Sequence, residues 1–123
     1  MTIERVLSTV DACKPNVIDD AQKLAWLQEL EGIITHEIIR THAGGENAEI
    51  PTVNGGTDPS AELLAAAPYD RLYPLYVEAQ IDLVNGEIGK YNNSIALFAA
   101  AYNEYSRWYN RTHTPVSATV RFW

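Results

Sequence analysis

Apolar residues recur along most of this chain at the three- and four-residue spacing that lines one face of an α-helix. A first stripe predicts a helix from Thr2, which can cap it, to about Ala12, and Pro15 prevents its continuation. A second, longer stripe follows the N-cap residue Asp19 and ends at the glycine pair that begins with Gly44. The apolar positions of these two predicted helices are Ile3, Val6, Leu7, Val10, Leu24, Leu27, Leu30, Ile34 and Ile38.

A short helix and a third major helix are predicted next. Asp58 before Pro59 has the form of a cap followed by proline at the first helical position, which predicts a short helix through Leu64. Asp70 is the predicted cap of the third major helix, which extends to about Val84. Proline in the first turn of that helix is tolerated because the missing amide has no partner there.

The fourth helix has the most regular stripe of large residues. Gly86 and Gly89 predict a break before it, and either Asn93 or Ser94 is its predicted cap. The threonine, histidine and proline after Arg111 predict its end. Its large residues recur at steps of three and four, at Ile95, Phe98, Tyr102, Tyr105 and Tyr109.

A long glycine-containing loop interrupts the helical pattern at residues 44–57. Two glycine pairs and a proline argue against a helix there, and a loop of more than about 12 residues is usually functional or disordered. One interpretation is a mobile surface loop. The other is a segment that becomes ordered against a neighbouring subunit, and its candidate interface residues are Glu49, Ile50, Pro51 and Val53.

The last residues change from helical spacing to alternation of apolar and polar positions, which is typical of a β-strand. No second strand is predicted, so we expect either a strand added to the sheet of a partner or a frayed or packed-back terminus. The predicted organisation is therefore an all-α, four-helix domain at residues 1–114 and an extended tail at 115–123. The candidate partner-binding residues of the tail are Val116, Ala118, Val120, Arg121, Phe122 and Trp123.

Composition and charge narrow the function classes. The 123 residues suffice for one core, and nine basic against sixteen acidic residues give a net charge of −7, which disfavours binding to nucleic acid. The single cysteine cannot form an intrachain disulfide, and no apolar run approaches the about 20 residues that span a bilayer. The first residues lack the basic-then-apolar order of a signal peptide, so we expect a cytoplasmic protein without a membrane partner.

No pattern in the chain predicts catalysis. His36 and His42 do not have the spacing of a zinc-protease helix, and we interpret them as polar residues of a helix end. Glu29 and Glu31 are interpreted as part of a solvated helix face, and Cys13 as a small apolar residue. We therefore predict no catalytic residue, no metal ligand and no cofactor-binding residue.

Several short segments of the chain occur together in a known family. The first of them, in the second predicted helix, is Gln-Lys-Leu-x-Trp-Leu-x-Glu-Leu-x-Gly at residues 22–32. The others are Pro-Tyr-Asp-Arg-Leu-Tyr, Glu-Ala-Gln-Ile-Asp with Asn-Gly-Glu, Tyr-Asn-Asn-Ser and Tyr-Asn-Arg-Thr-His, at residues 68–73, 78–87, 91–94 and 109–113. They resemble a family of small proteins from the structural gene clusters of tailed bacteriophages and prophages. Within it, the layout is similar to the helical head–tail connectors, or adaptors, that lie beneath the portal.

The resemblance implies a structural protein of the virion neck, assembled in the cytoplasm of the bacterial host. Such a protein forms a ring of about a dozen copies on the portal protein, binds the next connector or tail protein, and lets DNA pass without specific binding. The resemblance also implies that the tail docks on the portal, and it carries no catalytic residues. The alternatives are a small regulatory domain that binds one protein partner, another neck or tail completion protein, and a small helical hydrolase with an unrecognised site.

Overall fold

A computed structural model describes residues 1–116, which form four α-helices. They are α1 (Ile3–Cys13), α2 (Asp20–Glu37), α3 (Leu72–Val84) and α4 (Ile88–Thr112), with a 3₁₀ turn at Ile39–Thr41 after α2. Over these residues the backbone forms no β-strand, and the two isolated bridges pair Thr2 with Glu62 and His42 with Pro115. The predicted all-α fold is confirmed. No helix within residues 1–116 is long and apolar enough to cross a membrane.

The starts of α1 and α2 are capped as predicted. The hydroxyl of Thr2 accepts a hydrogen bond from the backbone N–H of Arg5 at 3.2 Å, and the carboxylate of Asp19 accepts one from the N–H of Gln22 at 2.8 Å. Each bond satisfies a backbone donor that the first helical turn leaves without a partner.

Helices α3 and α4 form an antiparallel hairpin with a tight connection. Gly86 adopts a positive φ of 72°, and its N–H donates to the carbonyl of Leu83 at 3.1 Å. The N–H of Glu87 donates to the carbonyl of Asp82 at 3.0 Å. This pair of bonds is the Schellman arrangement, which favours glycine at the left-handed position. The predicted break at Gly86 is therefore confirmed, and it turns the chain back along α3.

The core lies where α2 and α3 face each other, with α1 and α4 packed on the outside of this pair. Val6 and Val10 of α1 and Ala101 and Tyr105 of α4 are buried against it. Burial of these apolar surfaces supplies the main stabilisation of the fold. The buried apolar residues of α2 and α3 are Trp26, Leu27, Leu30, Ile34, Leu72, Tyr73, Tyr76, Val77, Ala79 and Ile81.

The short helix predicted from Asp58 to Leu64 does not form. The carboxylate of Asp58 accepts hydrogen bonds from the backbone N–H and the hydroxyl of Ser60, two positions further on. This pattern is an Asx turn rather than a helix cap. The carbonyls of Pro59 and Ala61 then accept from the first backbone donors of α1, at 3.0 and 3.2 Å. Because these carbonyls accept from another helix, they cannot accept the hydrogen bonds of a helix within their own segment.

The predicted caps of α3 and α4 are wrong. Helix α3 begins at Leu72 without a side-chain cap, and the carboxylate of Asp70 instead lies 3.2 Å from the α-amino group of Met1. Helix α4 begins at Ile88, so Asn93 and Ser94 lie inside it, as does Gly89. The Ser94 hydroxyl donates to a carboxylate of α3, which shows that packing along α3 outweighs the local stop signals.

The end of α2 also differs in detail from the prediction. The α-helix ends at Glu37 and the 3₁₀ turn carries the chain to the predicted glycine pair. A Cβ on Gly45 would lie 2.2 Å from the carbonyl oxygen of Ile39, so only glycine fits this close approach. Residues 117–123 lie outside the described part, and with them the tail candidates Ala118, Val120, Arg121, Phe122 and Trp123.

Candidate interaction surfaces

The loop at residues 44–57 packs on α2 of its own chain. The side-chain amide of Gln28 donates to the carbonyl of Pro51 at 2.9 Å, and its oxygen accepts from the N–H of Val53 at 2.6 Å. Val53 is 4% exposed and belongs to the core. Of the four candidate interface residues, Val53 is therefore taken up by its own chain, whereas Glu49 and Ile50 are exposed and Pro51 is half-buried.

The first half of the loop is also anchored by hydrogen bonds, and its acidic side chains are exposed. The guanidinium Nε of Arg40 donates to the carbonyl of Ala48 at 3.0 Å, and the N–H of Gly44 donates to the carboxylate of Glu46 at 2.6 Å. Glu46, Glu49 and Ile50 remain exposed between these anchors. We call these three residues the acidic ridge.

His42 connects the loop to the end of α4. Its Nδ1 lies 2.6 Å from the carbonyl oxygen of Ile38, and its Nε2 lies 2.8 Å from the side-chain oxygen of Asn110. The ring meets Tyr109 edge-on with centroids 4.7 Å apart, and Tyr109 stacks on His113 at 3.8 Å. His42 lies at a helix end, as interpreted, but it is buried and bonded on both ring nitrogens.

Thr114 and Pro115, at the start of the tail, lie at this same place. The N–H of Ala43 donates to the carbonyl of Thr114 at 2.8 Å, and His42 and Pro115 form an isolated bridge. Val116, the one tail candidate that the structure describes, is half-buried. The loop and the tail therefore begin side by side, at one joint next to the C-terminal end of α4.

Aromatic and basic side chains share a face next to this joint. The ring of Tyr69 stacks on Trp108 with centroids 5.2 Å apart and an interplanar angle of 27°. Beside it lies an open groove of about 390 Å³, lined by Tyr69, Glu104, Arg107 and Arg111. We call Tyr69, Arg107 and Arg111 the arginine groove.

A buried carboxylate joins α2, α3 and the segment between them. Glu31 is 0% exposed, so its interpretation as part of a solvated helix face is wrong. It accepts hydrogen bonds from the hydroxyl of Tyr73 at 2.6 Å and from the N–H of Leu64 at 2.9 Å, while the Tyr73 oxygen accepts from the N–H of Ala65 at 2.8 Å. Burial raises the pKa of Glu31, although these two bonds oppose the shift.

A second buried carboxylate joins α1, α3 and α4. Asp82 accepts from the ammonium of Lys14 and from the hydroxyl of Ser94, both at 2.7 Å. Burial alone would raise the pKa of Asp82, but these hydrogen bonds lower it below its usual value. Both buried acids are thus fully bonded parts of the framework.

The described residues offer no constellation for metal chemistry. Within residues 1–116, no three histidine, cysteine or acidic side chains lie close enough to hold a metal ion together. His36 and Cys13 are exposed and have no acidic partner among the hydrogen bonds and ion pairs of this part of the chain. The geometry therefore directs attention to the ridge, the groove and the tail as surfaces for other macromolecules.

Comparisons of the chain with protein-family models, with curated proteins and with solved structures found no match.

Sequence reasoning missed the residues that fix these surfaces. Gln28 lies 23 residues from the first loop carbonyl it binds, and His42 and Asn110 are separated by 68 positions. A glutamine within a helix and an asparagine near a helix end carry no local signal for such partners. Only the exposure of Glu49 and Ile50, at the tip of a glycine-flanked loop, follows from the sequence.

Proposed function

We propose that this chain is a structural subunit of the neck of a tailed bacteriophage, a head–tail connector that forms a ring beneath the portal. The observation that carries the proposal is the resemblance of five segments to that family. Four of these segments, at residues 68–73, 78–87, 91–94 and 109–113, lie in the α3–α4 hairpin and at its ends. Most of the resemblance therefore concerns the α3–α4 hairpin, and the fifth segment, at residues 22–32, lies in α2.

The resembling residues have structural tasks in that hairpin. Asp82 and Ser94 hold α3 to α4, and Gly86 makes the turn between them. At the joint where the loop and the tail begin, Asn110 lies within hydrogen-bond distance of His42, and His113 stacks on Tyr109. A family defined by such residues shares a scaffold rather than a catalytic site, which supports a structural role.

The placement of the loop and tail supports a role in assembly. Both begin next to the C-terminal end of α4, so partners bound there would be brought together on one side of each subunit. The loop is held by Gln28 and Arg40, and a surface that is already ordered loses less conformational entropy on binding. We infer that the tail binds the portal and the loop faces a neighbouring copy.

Co-purification with the portal protein of the same genome tests this function. The full chain is compared with a chain that stops after Val116, because this truncation keeps the bonds of Ala43 and Pro115 to the joint. We expect a ring on the portal in electron micrographs of the full chain, and loss of the ring with the truncated chain.

A second truncation, after Thr114, separates the tail from the joint. If only this shorter chain fails to bind, the joint carries the interaction and the tail does not. If neither the full chain nor any truncation binds the portal while all remain folded by circular dichroism, the connector function is wrong. A regulatory domain with a single protein partner then becomes the leading interpretation.

A further inference from the structure

Charge is distributed unevenly between two parts of this chain. Residues 41–70 contain no lysine or arginine, and their five acidic residues are Glu46, Glu49, Asp58, Glu62 and Asp70. Residues 105–123 contain no acidic residue, and their three basic residues are Arg107, Arg111 and Arg121. The acidic ridge belongs to the first part, and both arginines of the arginine groove belong to the second.

The acidic ridge is a preformed surface. Its two flanks are fixed to α2 and to the 3₁₀ turn by the bonds of Gln28 and Arg40, so the ridge has a defined shape. Glu49 has no ion-pair partner among residues 1–116, and Glu46 binds only the N–H of Gly44. Ile50 is 42% exposed beside these carboxylates, which gives the ridge an apolar contact as well.

The arginine groove has the complementary chemistry. Arg107 and Arg111 lie one helical turn apart on α4, about 6 Å from each other at the Cβ atoms. Within residues 1–116 neither forms an ion pair, and Arg107 donates only to the carbonyl of Asn103 in its own helix. The acid of the groove, Glu104, is neutralised by Arg71 at 3.3 Å. The groove therefore presents two free guanidinium groups beside the ring of Tyr69.

We propose that the acidic ridge of one copy docks in the arginine groove of a second copy, with Glu46 and Glu49 on the two arginines and Ile50 against Tyr69. The inference rests on the proposed ring, for which it supplies the contact between neighbours. Ridge and groove are different surfaces, so the contact is heterologous and leaves a free ridge and a free groove at the two ends of each pair. Repetition of such a contact closes a ring when the rotation between neighbours divides a full turn, and otherwise it gives an open filament.

The strength of the contact is expected to come from two sources. Exposed ion pairs contribute little individually and are screened by salt, but complementary charges speed association and fix the register. Burial of Ile50 against an aromatic ring supplies the apolar part. We therefore expect self-association that weakens when the salt concentration rises.

Charge reversal on each surface tests the contact in solution without the portal. The groove-reversed protein is R107E/R111E and the ridge-reversed protein is E46K/E49K. Each alone places like charges in the contact, so sedimentation velocity at low salt should show an apparent association constant at least about tenfold below that of the unaltered chain. In an equimolar mixture, each surface of one protein meets a surface of opposite charge on the other protein. We therefore expect assemblies in which the two proteins alternate.

The mixture also controls for folding, because two misfolded proteins would not rescue each other. R5E/K90E is the matched control for net charge, since both cations are exposed and lie outside the groove. This control should assemble like the unaltered chain. Assembly by both reversed proteins alone, or no rescue in the mixture, would overturn the proposed contact. So would an unaltered chain that stays monomeric both in solution and on the portal.

Two further outcomes separate this inference from the proposed function. Charge reversal can weaken self-association and mixing can restore it while no form binds the portal. In that case the contact between copies stands and the connector function is wrong. If the portal binds all variants equally and the rings are unchanged, the function stands and the inference falls. Duplex DNA that binds the unaltered chain but not R107E/R111E, with self-association unaffected, would assign the groove to nucleic acid and also overturn the inference.

Discussion

Helices α3 and α4 lie side by side in one hairpin, yet they use their surfaces in opposite ways. Eight of the thirteen residues of α3 are buried, whereas only Ala101 and Tyr105 are buried among the twenty-five of α4. The polar groups of α3 are buried as well: Tyr73 and Asp82 are inside the protein, and each binds partners from other segments. Helix α3 therefore specifies the fold.

Helix α4 is stabilised by one stripe and leaves the rest of its surface to solvent. Between Lys90 and Glu104 it carries no charged residue, and Leu97 is 59% exposed. Beyond Glu104 the exposed positions become basic. The comparison teaches that a long regular helix in a small domain need not be a core element, and that its exposed faces are where partners are to be sought.

The largest effect is expected from removal of the main anchor of α4. Tyr105→Ala deletes a ring that lies within 6.4 Å of the rings of Tyr69, Trp108 and Tyr109, and it leaves a cavity. We expect a loss of about 3–5 kcal/mol in the free energy of unfolding, measured by urea denaturation. Leu97→Ala, on the exposed face, should change it by less than about 0.5 kcal/mol. Similar losses for both would show that α4 is not held by one stripe.

A smaller effect is expected from a single hydroxyl on α3. Tyr73→Phe leaves the buried carboxylate of Glu31 and the N–H of Ala65 each without one partner. The expected loss in the free energy of unfolding is about 3 kcal/mol, because buried groups lose a partner that water cannot replace. The control is Tyr102→Phe on α4, whose hydroxyl donates to exposed Glu37 at 2.7 Å and should contribute less than about 1 kcal/mol. Equal losses would contradict the division between the two helices.

The sequence predicted those features of the helices that depend only on residues close together in the chain. The cap of α2 at Asp19 and the turn at Gly86 were correct, because each is a bond between residues close in the chain. Four members of the predicted stripe of α4 were also correct, since Tyr105 is buried and Phe98, Tyr102 and Tyr109 pack against the core. These features required no knowledge of the other helices.

The errors share one physical cause, which is that a distant partner took the group that the local pattern needed. Ser94 looks like a cap but donates to Asp82, and Asp70 looks like a cap but lies beside the α-amino group of Met1. Glu31 looks solvated because it is charged and lies two positions after Glu29, yet its partners are 33 and 42 positions away. The anchoring of the loop by Gln28 was unpredictable for the same reason.

The smallest of the expected effects is a pH dependence that belongs to the α2–α3 side. Burial raises the pKa of Glu31 above its ordinary value of 4.5, so the folded chain keeps a proton that the unfolded chain has released. The free energy of unfolding should therefore fall as the pH rises from 4.5 to the raised pKa, by at most about 1.4 kcal/mol per pH unit for this group.

Glu31→Gln removes this carboxyl group from the titration. Over that range of pH, the free energy of unfolding of the variant should therefore fall less than that of the unaltered chain. Burial also raises the pKa of Glu78, which adds a slope of the same sign, so the substitution reduces the dependence without abolishing it. Asp82 and Asp11, whose pKa values are lowered, act only below 3.8 and do not enter this range. The control for the loss of one carboxylate is Glu104→Gln, on the exposed face of α4. Urea denaturation at successive pH values measures all three proteins, and a slope in Glu31→Gln as steep as that of the unaltered chain would mean that burial does not raise the pKa of Glu31.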